Sequence, residues 1–173
     1  MAYELIQTID LSSGGQVSLD FQNIPNTYKD LVLYYYLRNT GANGACILRF
    51  NNTSTNYYNI RMTGAYTSST PVADNMWQTV GGFGCMAANK WPSGYFSNGL
   101  LMISQYANTS YDKNGWYSTT TEIPQANDGG AGLSSLVGLN WNNTSAINRI
   151  TITSEDSGAN LAQYSYASLY GIA

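Results

Sequence analysis

The sequence predicts an all-β fold, a single-domain β-sandwich or jelly roll of about ten short antiparallel strands. Three observations carry this. Leu31 to Arg38 alternates with a period of two, placing Leu31, Leu33, Tyr35 and Leu37 on one face and Val32, Tyr34, Tyr36 and Arg38 on the other. The composition holds 15 Tyr and 17 Gly among abundant Thr, Ser and Asn, with no stretch rich in Glu, Lys and Ala. Gly, Asn and Pro clusters punctuate the chain between short apolar runs. At 173 residues the chain has the length of one domain able to bury a core, and no repeat or linker divides residues 1–173.

Taken in order, Tyr3 to Leu11 reads as a strand closed by the turn Ser12-Ser13-Gly14-Gly15. Gln16 to Phe21 follows with Val17, Leu19 and Phe21 on one side, so the two can form an N-terminal hairpin. Ile24-Pro25 forces an extended approach, because the residue before proline is pushed out of the helical region. The strand from Asp30 to Arg38 is apolar on both faces, so it lies centrally with its outer face covered by a further layer or another subunit. Cys46 to Asn51 is another strand, and the polar tip from Asn51 to Asn56 leads into Tyr57 to Gly64 with Tyr58, Ile60 and Met62 in register. Between Ala65 and Ser97 the period weakens; one strand is expected near Trp77 to Phe83 and a loop from Asn89 to Ser97. Gly99 to Tyr106, Trp116 to Glu122, Leu133 to Trp141 and Ala146 to Thr153 complete the strands before the last segment. That segment alternates to the end, with Tyr164, Tyr166, Ser168, Tyr170 and Ile172 sharing a face, so it pairs inside a sheet.

Composition excludes several chemistries. With no His, neither a serine nor a cysteine nucleophile has its usual base, and Cys46 and Cys85 lack metal-ligand spacing. The two thiols read as small buried hydrophobes, with a disulfide left open. Glu122 with Asp128 or Asp112 is the one acid pairing worth testing for glycoside hydrolysis. VGGFG at 80–84 lacks the Lys and helix of a phosphate loop, so its glycines read as turn or strand glycines. The Asn-Xaa-Ser/Thr triplets at Asn51, Asn52, Asn108, Asn142 and Asn143 follow from the abundance of those residues. No catalytic residue, cofactor site or metal site is expected, and no enzyme activity. The net charge of -3 gives no field for nucleic acid and no polybasic patch for a membrane. The N-terminal residues lack the basic start and apolar run of a signal peptide, so a protein made in soluble form is expected.

With only 10% charged residues, the chain has little charged surface for a monomer. One face of each apolar strand can fill a core, which leaves Tyr34 and Tyr36, or Tyr164 and Tyr166, for a neighbouring chain. Trp91 joins them as an interface candidate. Stacking of the tryptophans and tyrosines on sugars is the less favoured use of the same rings.

Five segments carry a resemblance: FQNIPNTYKDL at 21–31, RFNN at 49–52, NYYNIR at 56–61, WNNTSAINRITI at 141–152 and ASLYGI at 167–172. Together they resemble a family of small tailed-bacteriophage virion proteins, related segments of which form terminal domains of tail and fibre proteins. The similarity runs from about Leu19 to the C-terminus and is patchy in the middle. It implies a capsid decoration (cement) protein, a homotrimeric β-sandwich or jelly roll on the outer surface of the phage head that bridges capsomers and contacts the major capsid protein. The alternative it implies is a tail or fibre component that binds a host surface glycan or receptor.

Overall fold

The computed structural model describes residues 2–42, 45–65, 68–76, 82–85, 93–121 and 133–173. They form twelve strands and no helix. In chain order these are β1 (Tyr3–Asp10), β2 (Ser18–Phe21), β3 (Asp30–Leu37), β4 (Ala45–Phe50), β5 (Tyr57–Ala65) and β6 (Ser68–Met76). They continue with β7 (Gly82–Cys85), β8 (Ser97–Ser104), β9 (Lys113–Thr121), β10 (Leu133–Trp141), β11 (Ile150–Ser154) and β12 (Tyr166–Ile172). One sheet has eight strands in the order β1-β12-β3-β8-β9-β10-β5-β6, the other four in the order β2-β11-β4-β7. All their ladders are antiparallel. The two sheets face each other across one apolar core, an all-β sandwich.

The alternation of β3 explains that core. Leu31, Leu33, Tyr35 and Leu37 point inward and are buried. Leu33 sits between Leu169 of β12 and Leu101 of β8, and the row continues through Tyr117 of β9 to Val137 of β10. Leu19 and Phe21 of β2, Ile150 and Ile152 of β11, and Cys46, Leu48 and Phe50 of β4 close over it from the small sheet. The Tyr35 ring lies where a Cβ of residue 99 would be, which is why Gly99 stands opposite it. Cys46 is thus the small buried hydrophobe expected; the side chain of Cys85 lies outside the described residues.

At one end of the sandwich, Phe50, Tyr57 and Trp141 pack together, with Tyr57 and Trp141 stacked at 6.1 Å. The backbone N–H of Phe50 donates to the Tyr57 hydroxyl at 2.7 Å. Asn51 clamps the neighbouring loop. Its Nδ2 donates to the Ala146 carbonyl at 2.8 Å, and its Oδ1 accepts the N–H groups of Asn148 and Arg149 at 3.0 and 3.2 Å. Asn23, Asn51, Asn52 and Asn56 all take positive φ, a conformation asparagine tolerates better than most side chains. Lys113 is fully buried, yet its three ammonium protons reach the carbonyls of Asn108, Tyr111 and Thr144 at 2.6, 2.8 and 3.0 Å. Burial pushes its pKa below the usual lysine value, opposed by the nearby Asp112. On the outer side of the small sheet, Arg149 binds both carboxylate oxygens of Asp20, at 2.7 and 2.6 Å.

Three expectations are corrected. No N-terminal hairpin forms: β1 pairs with β12, while β2 pairs with β11 in the other sheet. Ile6 and Ile9 of β1 pack on the core, and the turn after Leu11 carries the chain across to the small sheet. Val17 therefore lies outside β2 and is exposed, while Leu19 and Phe21 are buried. Second, Tyr164 is not in the last strand; it occupies the turn before β12 with φ 69°. Third, the weakly patterned region holds β6 at Ser68–Met76, a strand not expected, and β7 at Gly82–Cys85. Of the strand expected over Trp77 to Phe83, only the last two residues are among those described, and they belong to β7. Gly82 and Gly84 are thereby strand glycines, paired with Leu48 and Cys46.

Two stability predictions follow from this packing. Leu33 is 1% exposed, so Leu33→Ala should cost about 2–5 kcal/mol in denaturant unfolding; a loss within ~0.5 kcal/mol would contradict its central place. The hydrogen bonds from Arg149, then weaker ones from Gln22 and Thr151, hold the Asp20 pKa below the ordinary aspartate value of 3.8 against the opposing effect of burial. As pH falls below that value, the unfolded carboxyl takes up its proton first, so this stabilisation is present above pH 3.8 and is lost as pH drops through the folded pKa. Unfolding midpoints measured from pH 7 downward should therefore fall less steeply at the acid end for Asp20→Asn than for the unsubstituted protein.

Candidate functional site

Inward and outward residues alternate across the large sheet, so the register defines its outer face. Tyr36 stands opposite Tyr166 and Asn98, Tyr34 opposite Ser168 and Leu100, and Val32 opposite Tyr170 and Met102. Farther across, Leu100 pairs with Ser118, Met102 with Trp116, Ser118 with Leu136, and Leu136 with Met62. Among the described residues, Asp10 and Asp30 are the charged side chains that the register sets on this face, and both lie at its margins. Each is occupied locally: Asp10 accepts the Ser12 N–H at 2.8 Å and Asp30 that of Gln105 at 2.8 Å.

Nine of the twelve exposed large hydrophobic side chains described in the chain lie on this single face. They divide into two areas. Over β9, β10 and β5 run Trp116, Leu136, Tyr58, Ile60 and Met62, of which Ile60 is 65% exposed. Gly138 lies between Trp116 and Ile60, leaving them standing above a flat strand. Over β1, β12 and β3 the face is aromatic, with Tyr3, Leu5, Tyr34 and Tyr166 exposed.

The aromatic area is internally braced. Tyr36 stacks on Phe96 at 4.7 Å and 10°, and leans on Tyr166 at 5.6 Å. Tyr170 presents itself edge-on to Tyr34 at 6.2 Å and to Tyr3 at 6.5 Å. Beside this wall runs a trough of about 370 Å³, bordered by Tyr34, Tyr36 and Tyr166, with Asn98, Leu100, Ser118 and Thr120 along its floor. It continues into a second depression of about 270 Å³ that shares Tyr36, Asn98 and Thr120 and ends against Gly94, Tyr95 and Phe96. Beneath that end, the Arg38 guanidinium donates to the Tyr95 carbonyl at 2.9 Å, and burial lowers its pKa.

The structure thus brings Tyr34, Tyr36 and Tyr166 together. Tyr164 is exposed elsewhere, its N–H donating to the Leu11 carbonyl at 3.0 Å. Trp91 lies outside the described residues, as do Glu122 and Asp128, while Asp112 is exposed in the loop before β9. Among the described residues no group of three or more His, Cys, Asp or Glu is placed to hold a metal ion, and no helix is long and apolar enough to cross a membrane. Sequence reasoning missed Ile60, Met62, Trp116 and Leu136 as surface residues, together with Phe96 and Asn98. For Trp116 and Leu136 the sequence signature is that β9 and β10 carry bulky residues at both odd and even positions, so one set has to face out; Ile60, Met62, Phe96 and Asn98 carry no such signal. Comparison of the chain with protein-family models, with curated proteins and with solved structures gives no match.

Proposed function

We propose that the chain is a structural protein of a bacteriophage particle, a capsid decoration (cement) protein that stabilises the head by bridging capsomers. The observation that carries this is the broad uncharged outer face of the eight-stranded sheet. About half of each of its nine apolar side chains is still exposed, together on the order of 1,000 Å². A standard protein interface takes about 800 Å² from each partner. The resemblance of the five sequence segments to phage virion proteins supplies the kind of particle and the homotrimer.

Contacts with neighbouring copies and with the major capsid protein use the aliphatic area first. Ile60, Met62 and Leu136 carry no polar group that must keep a partner when water is expelled. Tyr34, Tyr36 and Tyr166 border that contact. A tail or fibre component that binds a host surface glycan or receptor is the second reading, favoured by the neutral aromatic trough.

Antibody labelling of intact particles in the electron microscope separates the two: many sites on the head support decoration, and a few on the tail overturn it. In solution, light scattering at micromolar concentration should give the mass of three 18.9 kDa chains. The double variant Ile60→Asp/Leu136→Asp should fall to one chain with its β-sheet circular dichroism intact. An unsubstituted protein at the mass of one chain would count against self-association.

A further inference from the structure

We propose that the trough over β3, β8 and β9 is a binding site for a neutral saccharide. Tyr34 and Tyr166 act as its stacking wall, and Asn98, Ser118 and Thr120 as its hydrogen-bonding floor. The inference rests on the reading of the chain as an exposed virion protein and names the ligand class of its aromatic area. A sugar ring has an apolar C–H face and a rim of hydroxyls that both donate and accept. The trough offers the complement to each: tyrosine rings on one side, an amide and two hydroxyls on the other.

Size and charge agree with that ligand. The two joined depressions, about 370 and 270 Å³, fall within or near the usual range of small-ligand sites, which combine aromatic lining with a few placed polar groups. Among the described residues, no charged side chain lines either of them. Arg38, buried and turned to the Tyr95 carbonyl, offers no open counter-charge there, so among the described residues a phosphate, sulfate or carboxylate would give up hydration for little return, whereas an uncharged sugar loses nothing of that kind. An apolar peptide fits less well, because covering Asn98, Ser118 and Thr120 with hydrocarbon would leave their polar groups unpartnered.

The wall is also set before a ligand arrives. Phe96 and Tyr166 pack against Tyr36 from two directions, Tyr170 braces Tyr34, and Arg38 holds the Tyr95 backbone beneath the far end. Rings fixed in this way lose little freedom on binding, so even modest contacts yield measurable affinity.

The test is a calorimetric and NMR titration of the purified protein with neutral oligosaccharides built from glucose, galactose, mannose and N-acetylglucosamine, alongside polygalacturonate as the anionic counterpart. At least one neutral sugar should saturate with a dissociation constant of about 1 mM or tighter, and polygalacturonate should not bind. Tyr166→Ala and Asn98→Ala should each weaken binding by about tenfold or more. Leu136→Ser, on the aliphatic area, should leave it unchanged, and circular dichroism checks that every variant is folded. The proposal is overturned if no neutral sugar binds at about 10 mM, if polygalacturonate binds as tightly, or if binding survives both trough substitutions. Because particle labelling locates the protein independently of sugar binding, a failed titration removes the saccharide site and leaves the decoration reading standing.

Discussion

Four strands cannot cover both faces of eight. That mismatch governs the molecule: the small sheet of β2, β11, β4 and β7 closes over one face of the large sheet, while on the other Phe96 packs on Tyr36 and nine large apolar side chains stay exposed. The buried side is filled by rows such as Leu169, Leu33, Leu101, Tyr117 and Val137, which run across five strands. The open side keeps its aromatic and aliphatic residues in water, and with one residue in ten charged, the sequence has few charges with which to dilute them. An edge-to-edge barrel would have resolved the mismatch by curling the sheet on itself; an open sandwich leaves it on display.

Much of this was legible. The period-two patterns of β3, β4, β8, β10 and β12 are local properties of the chain, because inward and outward positions differ in side chain or both are bulky. What pairs with what is a long-range property. Residues 3–21 look like a hairpin, yet β1 finds its partner in Tyr166–Ile172, more than a hundred and fifty residues away. β6, with the sequence SSTPVADNM, has no apolar alternation; its ladder with β5 is what makes it a strand. The site was half legible for the same reason. Tyr34, Tyr36 and Tyr166 were readable as outward residues, but their meeting depends on the β3–β12 register, and the contribution of Phe96 and Asn98 on the register of β8. For Leu136 the sequence left open which face of β10 would be buried, while in β5 the structure inverts the apolar pattern, burying Tyr57 and Asn59 and exposing Tyr58, Ile60 and Met62.

The five segments at 21–31, 49–52, 56–61, 141–152 and 167–172 do structural work. Asn51 in RFNN clamps the loop of WNNTSAINRITI, Tyr57 in NYYNIR caps the Phe50 N–H beside Trp141, and the Ile24 N–H of FQNIPN donates to the Asn148 carbonyl at 3.0 Å. Tyr28 packs where a side chain at Gly171 of ASLYGI would stand. These residues fasten loops and strand ends, whereas most of the outer face of the large sheet lies outside them. Segments with these roles speak to how the chain folds more than to what it touches, and the surface has to be read on its own.

The handling of positive charge has a consequence for resistance to proteolysis. A protease that cuts after lysine or arginine must draw that side chain into a deep pocket and the flanking backbone into an extended groove. Here Lys113 and Arg38 are buried, Arg149 is held by Asp20, and Arg49 and Arg61 are half-buried within β4 and β5. Among the described residues only Lys29 is an exposed cation, and its own N–H is tied to the Ile172 carbonyl at 2.8 Å. At these described positions digestion by such an enzyme has to wait for the fold to open, so a sandwich that displays a greasy face offers few cationic places to begin cutting; Lys90 lies outside the described residues.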